Sequence, residues 1–420
     1  MTSIPSPNNQ TTGMGKYTYL IGPIFLSLCL FTLPFSLTSQ YLIYIAALAG
    51  IGICVAAIIQ KTPPPGIRLI SAVFLCLWLP LLISAIDTTA PDGLSTVARY
   101  TSYFFAAIAI GFLFNQKSTE IALYLFGLII LLWTADGLLQ FVTGKNIFGE
   151  PTYHETRLTG VFAPSPRLGY VLAILSPIYL DIVRRASKYT SFFWLTIIPL
   201  VLVILLGGSR TSWILFAAGF LLYGIFFAAS SRTIKWKKIS LISVIILTTS
   251  ITATTQIDWL KSRAEDFKKL TQPNYTLIND ATSNRLPLWE VAFYMYKDNP
   301  INGAGPRAYR DQYSVYSHLT TEHHPDKGDN FPHLFILEIC AETGSLGIIG
   351  YFLLLLSIIT IFAKSNLNNR LASAPWFTTS ILAAFPLSAT LPFYGTFSSL
   401  LLWIPLMISL FILRADRHEK

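Results

Sequence analysis

The chain has 420 residues, 53% of them hydrophobic and 12% charged, with a mean hydropathy of +0.55, which excludes a water-soluble globule of this size. The formal charge of +9 would suit a binder of acidic partners, yet no basic tract is interleaved with aromatics as nucleic-acid binding requires. The four cysteines, Cys29, Cys54, Cys76 and Cys340, all lie inside apolar runs, so they read as small buried hydrophobes and imply neither a disulfide framework nor a thiolate metal site.

Residues 1–16 read as a cytoplasmic tail. The apolar stretch 17–36 is too long for a signal-peptide core and has no small-residue cleavage site, so it is expected to stay as a membrane span. Further runs about long enough to cross a bilayer lie at 41–60, 68–86, 100–115, 119–141, 168–183, 191–208, 212–229, 239–255, 333–363, 372–391 and 396–413. This predicts an all-α polytopic protein of about twelve spans, grouped as 17–255 and 333–413, with 414–420 as a second cytoplasmic tail.

Orientation follows from Lys and Arg near the span ends. With both termini inside, sixteen of the thirty basic residues lie on the inner side and fourteen outside, but nine of those fourteen fall in the single segment 256–332. Long loops escape the charge rule, so the termini are expected in the cytoplasm and this segment in the periplasm. It opens with IDWLKSRAEDFKKL, where Ile257, Leu260, Ala264, Phe267 and Leu270 recur at helical spacing, as in a helix lying along a membrane surface. SNRLPLWEVAFYMYKDNP predicts a second short helix ending before Pro300, and RAYRDQYSVYSHL a third.

Candidate chemistry gathers on this side. Pro332 suits a first helical position, with Asn330 or Asp329 as cap, which puts His333 in the first turn of the tenth span. There the helix dipole disfavours imidazolium, so His333 reads either as a neutral general base or as a solvated interface histidine. Glu342 lies nine residues on, near the opposite face of the helix, and suits backbone amides or a basic partner, while Glu338 has no assignable partner. Arg210 in GGSRTSW, Arg285 in TSNRLPLW and Arg157 in YHETRLTG all fall on one side. Together they would clamp a diphosphate through bidentate bonds; singly, each would be an arginine snorkelling to lipid phosphate. The loop GAGP (303–306) lacks the Lys and Ser/Thr of a P-loop. EHHPD (322–326) with Asp329 matches no strong zinc spacing, and neither a metal nor a cofactor is expected.

The succession SNRLPLWE, a short helix, NPINGAGP and PHLFILEICAETGSLGIIG resembles the shared region of the membrane glycosyltransferases that comprise O-antigen ligases, O-antigen polymerases and protein O-oligosaccharyltransferases. Arg285, Trp289, Pro300, Gly303, Gly305, His333, Glu342, Gly344 and Gly347 occupy the positions of that family's motifs. GGSRT resembles its second arginine motif, and RLTGVFAPSP the stretch before its sixth span. The resemblance covers roughly 157 to 350 and departs at Leu334, where the family has Asn. Twelve spans with no large C-terminal soluble domain are most similar to the O-antigen ligases.

That resemblance implies a GT-C-like glycosyltransferase of the bacterial inner membrane with its site facing the periplasm. The donor would be a polysaccharide on undecaprenyl pyrophosphate and the acceptor a sugar hydroxyl of lipid A–core. Arg210 and Arg285, with Arg157, would hold the pyrophosphate, and His333 would take the acceptor proton in an inverting displacement. Trp289, Gly303, Gly305, Glu342, Gly344 and Gly347 would support the site. A double displacement would need a carboxylate nucleophile, for which Asp326 and Asp329 are the nearest candidates. The alternatives are a polymerase, a protein O-oligosaccharyltransferase, or a non-enzymatic lipid-linked oligosaccharide transporter. A transporter would be expected to carry more charge at mid-membrane than Asp136 and the two glutamates.

Overall fold

A computed structural model describes residues 18–64, 66–86, 88, 90–230, 236–322 and 331–414. The tails, the stretch His323–Asp326 and the cap candidates Asp329 and Asn330 lie outside the described residues. Each of the twelve apolar runs overlaps a helix, but the run 372–391 leaves its helix after Ala383, and 384–391 belong to an irregular connection. In chain order the helices are α1 (Ile21–Phe31), α2 (Ser36–Ile59), α3 (Ile67–Ile86), α4 (Gly93–Leu113), α5 (Gln116–Thr143), α6 (Leu168–Ala186), α7 (Ile197–Leu206), α8 (Arg210–Ser230) and α9 (Trp236–Gln256). Four short helices follow, α10 (Asp258–Lys269), α11 (Tyr275–Ala281), α12 (Leu286–Asp298) and α13 (Ala308–Tyr316). The chain then runs through α14 (Phe335–Lys364), α15 (Leu367–Ala383) and α16 (Thr396–Arg414). No strand occurs among the described residues, which carry only the isolated bridges Lys145–Pro151 and Tyr153–Arg157.

Local chemistry sets several boundaries. Asn115 and Ser118 exchange side-chain and backbone hydrogen bonds at the start of α5 (2.9 and 3.2 Å), and Gly144 ends that helix in the left-handed region. Helix α11 was not expected, because its seven residues lie in a polar stretch with no apolar period. It exists because the Asn274 side chain caps the Leu277 amide at 3.2 Å and Asn279 and Ala281 are buried against neighbours.

Among the described residues, six helices are long and apolar enough to cross a membrane: α2 from Leu37, α3, α4, α5, α14 and α16. Ile21–Phe31, Phe192–Leu206 and Arg210–Phe226 are shorter apolar helices. The expected span 168–183 is also helical, but its last two turns carry Asp181, Arg184 and Arg185, and α15 has only 17 residues. Hydropathy alone did not separate helices that face lipid from those that face protein. Helix α2 leaves Leu37, Ile45, Leu48, Ile58 and Ile59 exposed, an apolar face that only lipid would cover. Helix α16, nearly as hydrophobic, and α6, which is less so, are almost wholly enclosed and form the centre of the bundle with α15.

Helix α14 is broken. Gly344 has φ 62° and ψ −159°, so the helix that begins at Phe335 is interrupted after Thr343 and resumes beyond it. Into this break fits the loop between α12 and α13. The amides of Ser345 and Leu346 donate to the carbonyls of Pro300 and Ile301 (2.9 and 3.0 Å), and those of Ala304 and Gly305 donate to Ala341 and Glu342 (2.8 and 3.0 Å). Helix α12 packs on α14, and one apolar cluster joins Leu288, Val291, Met295, Tyr309 and Tyr313 to Ala341.

A candidate active site at the loop-bearing end

The same end of the bundle carries the α3–α4 turn, the α5–α6 connection, the α7–α8 turn, the segment 256–322 and the α15–α16 connection. Contacts tie them together: Thr88 Oγ1 donates to the Ala304 carbonyl at 2.8 Å, Arg310 pairs with Asp92, and the Arg167 guanidinium lies 5.1 Å from the centre of the Phe397 ring.

The three arginines expected to act together are linked here. Arg157 Nε donates to the Gly207 carbonyl at 3.0 Å, three residues before Arg210, and a Cβ at Gly208 would strike the Arg157 side chain at 2.9 Å. Arg210 Nη2 donates to Ser283 Oγ at 3.0 Å, two residues before Arg285. Arg210 also pairs with Asp266 of α10 at 3.2 Å, so the amphipathic helix supplies a counter-charge that sequence spacing did not reveal. Arg285 directly precedes α12 without a capping bond from its side chain, and the Leu286 amide donates instead to Asn279 Oδ1 at 3.1 Å.

Backbone strain marks the loops that carry these groups. Seven described non-glycine residues have positive φ, and six of them are His154 and Glu155 before Arg157, Ser283 and Asn284 before Arg285, Arg307, and His333. Each such residue costs energy that the surrounding structure must offset, and such residues cluster at functional sites.

His333 does not stand in a helical turn. Helix α14 begins two residues later, and His333 has φ 53°. The amides of Phe335 and Ile336, which the dipole argument left open, donate to the carbonyls of Ser388 and Pro386 (both 3.1 Å). What fixes the imidazole is the Ala389 carbonyl, 2.9 Å from Nδ1. A carbonyl only accepts, so Nδ1 carries the proton and Nε2 is the accepting nitrogen of the neutral ring. The Phe331 ring packs 4.0 Å from the imidazole centre.

The two glutamates sit on one face of α14 and are fully buried. Glu342 Oε2 accepts from the Arg307 amide at 2.8 Å; the sequence leaves both backbone amides and a basic partner open to it. Glu338, which had no assignable partner, accepts from the amides of Phe393 (2.8 Å) and Tyr394 (3.3 Å). Arg307, not singled out from sequence, places Nη1 4.0 Å from Glu338 Oε1. The signal for it was available: like charges at i and i+4 in an apolar helix call for a cation, and Arg307 directly follows the GAGP loop.

That loop is no phosphate cradle. A Cβ at Gly303 would meet the Glu342 carbonyl carbon at 2.4 Å, one at Gly305 would meet Thr88, and one at Gly344 would meet the Ile301 oxygen at 2.4 Å, so these glycines permit backbones to touch. Gly347 makes room for the Thr343 hydroxyl. Trp289 packs against the outer apolar cluster, with its indole nitrogen buried and without a hydrogen-bond partner among the described residues. Asp136, inside α5, accepts from the Ile147 amide at 2.7 Å and so braces the connection that bears Arg157. Outside the spans, burial and the neighbouring Glu290 carboxylate push the Tyr275 phenol up to about 12, which keeps it a neutral donor. No cluster of three metal-ligating side chains occurs among the described residues.

An all-helical, multi-pass membrane protein with guanidinium groups and an imidazole gathered at one end is thereby defined. Residues 194–352 match the family model described as O-antigen ligase, so this stretch of the chain is similar to that family. That match takes in Arg210, Arg285, Arg307, His333 and both glutamates, and stops short of Arg157. A search of curated proteins gave no match.

Proposed function

We propose that the protein is an O-antigen ligase of the GT-C type with twelve spans. It would transfer polysaccharide from undecaprenyl pyrophosphate to a lipid A–core sugar at the periplasmic face of the inner membrane. The observation that carries this reading is the linkage of Arg157, Arg210 and Arg285 through Gly207 and Ser283. Three guanidinium groups, those of Arg157 and Arg285 on strained loops and that of Arg210 at the start of α8, suit the oxygens of a diphosphate and the charge that develops as it leaves. His333, protonated on Nδ1, would use Nε2 to accept the proton of the acceptor hydroxyl as its oxygen attacks the anomeric carbon, giving inversion. Membrane lipids would surround the apolar faces, and both substrates would arrive from the bilayer.

The test is a lipopolysaccharide gel with a parallel assay of lipid-linked polymer, in a strain that lacks this gene and is complemented with the wild type, His333→Ala or Arg285→Ala. Both variants should insert normally and give core without attached repeats, with polymerised donor accumulating. Core bearing a single repeat in the gene-less strain would instead identify a polymerase, and a normal ladder with either variant would remove that residue from the mechanism.

A further inference from the structure

The most enclosed carboxylate beside the candidate site holds a segment that belongs to another part of the chain. Glu338, with no solvent exposure, accepts from Phe393 and Tyr394, both in the α15–α16 connection. That connection returns its own carbonyls to the start of α14: Pro386 to the Ile336 amide, Ser388 to the Phe335 amide and Ala389 to His333 Nδ1. Arg99 secures it from the other side, donating to the Tyr394 carbonyl at 2.6 Å, and the Tyr394 and Thr343 hydroxyls share a hydrogen bond of 2.8 Å.

We infer that Glu338 is a positioning residue, which by pinning Phe393 and Tyr394 fixes the Ala389 carbonyl and through it the tautomer and ring orientation of His333. The inference rests on the reading of His333 as the general base. A buried carboxylate is costly unless it is paired and hydrogen-bonded, and an apolar side chain would fill the same space without that cost. Here each carboxylate oxygen holds one amide, Oε2 that of Phe393 and Oε1 that of Tyr394. Arg307, 4.0 Å away, offsets part of the charge, and Glu342 holds the Arg307 amide instead of the α15–α16 connection. The two glutamates are therefore not equivalent, although they lie one turn apart on the same face.

The experiment is nitrogen NMR on detergent-extracted full-length protein labelled with 15N-histidine. The chain has six histidines, and the His333 signals are identified by their loss in His333→Gln. The wild type should show the Nδ1–H tautomer. Glu338→Gln keeps the shape but leaves one acceptor oxygen, so the share of Nε2–H should rise roughly tenfold, the ratio expected from losing one hydrogen bond. Transfer by this variant should fall on the order of 10- to 100-fold in kcat, with the donor KM within about twofold, as for a misplaced catalytic group. Glu338→Asp, which keeps the charge but not the reach, should shift the tautomer in the same direction if Glu338→Gln does not fold. Glu342→Gln should leave it unchanged. A wild-type tautomer in extractable, monodisperse Glu338→Gln or Glu338→Asp would overturn the inference whatever transfer does. Normal transfer by His333→Ala would instead sink the general-base reading while leaving the tautomer measurement interpretable.

Discussion

At the scale of single residues, the site sets charged groups against a backbone that was bent to present them. Arginine differs from lysine here because its planar fork can keep one arm on Ser283 or Asp266 while offering the other to a phosphate oxygen. Arg210→Lys should therefore insert normally yet raise the KM for the lipid-linked donor by about tenfold, the loss of one charge-assisted bond. Initial rates with purified donor and acceptor check this, and an unchanged KM would argue against contact with the donor. Charge stabilisation by guanidinium also predicts that EDTA leaves transfer unaffected; an EDTA-sensitive activity restored by one defined divalent ion would contradict it. Residue type and spacing were enough to single out His333, Arg157, Arg210 and Arg285 as candidates expected on one side. Arg307 and the partners of Glu338 were not, because their contacts join positions 31 to 56 residues apart.

At the scale of elements, the fit of the α12–α13 loop into the broken α14 explains why glycines recur in both. Gly303 and Gly344 have φ of 73° and 62°, and a Cβ on either would overlap backbone atoms that have no freedom to move aside. Gly303→Ala and Gly344→Ala should each destabilise the protein by at least about 2 kcal/mol, the range of overpacking combined with a strained φ. Gly224→Ala, in α8 with nothing within 4 Å of the added carbon, should be neutral or slightly stabilising. Thermal unfolding followed by size-exclusion chromatography in detergent separates these outcomes, and equal stability of all three would refute the close backbone approach. Short helices at 258–269 and 286–298 match the periodicity and the Pro300 boundary read from sequence. Helix α11 does not, since a single Asn cap and tertiary burial make it rather than any apolar repeat.

For the whole molecule, the proposed function requires one topology. The proposed arrangement puts the segment 256–322 and the α5–α6 connection outside, and the α4–α5 and α14–α15 turns inside. Single cysteines introduced at Glu155 and Thr321 in a cysteine-free background should react with a membrane-impermeant maleimide in intact spheroplasts. Cysteines at Lys117 and Asn368 should react only after permeabilisation. Labelling of Lys117→Cys in intact spheroplasts would reverse or redraw the topology. The division of labour among helices also shows at this scale. Helices α2 and α16 have similar hydropathy, yet 22% of the one and 89% of the other is buried within the protein.

By itself the sequence determined that the chain is helical and lives in a membrane, because apolar runs of this length leave backbone polar groups only the helix in which to satisfy themselves. It also led to the expectation that polar chemistry gathers on one side, since charge is costly within spans and most of it falls in loops. Tertiary structure alone decided which helices face lipid, that α14 breaks at Gly344 to receive a loop, and that His333 takes its tautomer from Ala389 instead of a helix dipole. Each of these depends on a hydrogen bond or a backbone contact between distant segments. Local periodicity and propensity carry no record of such contacts.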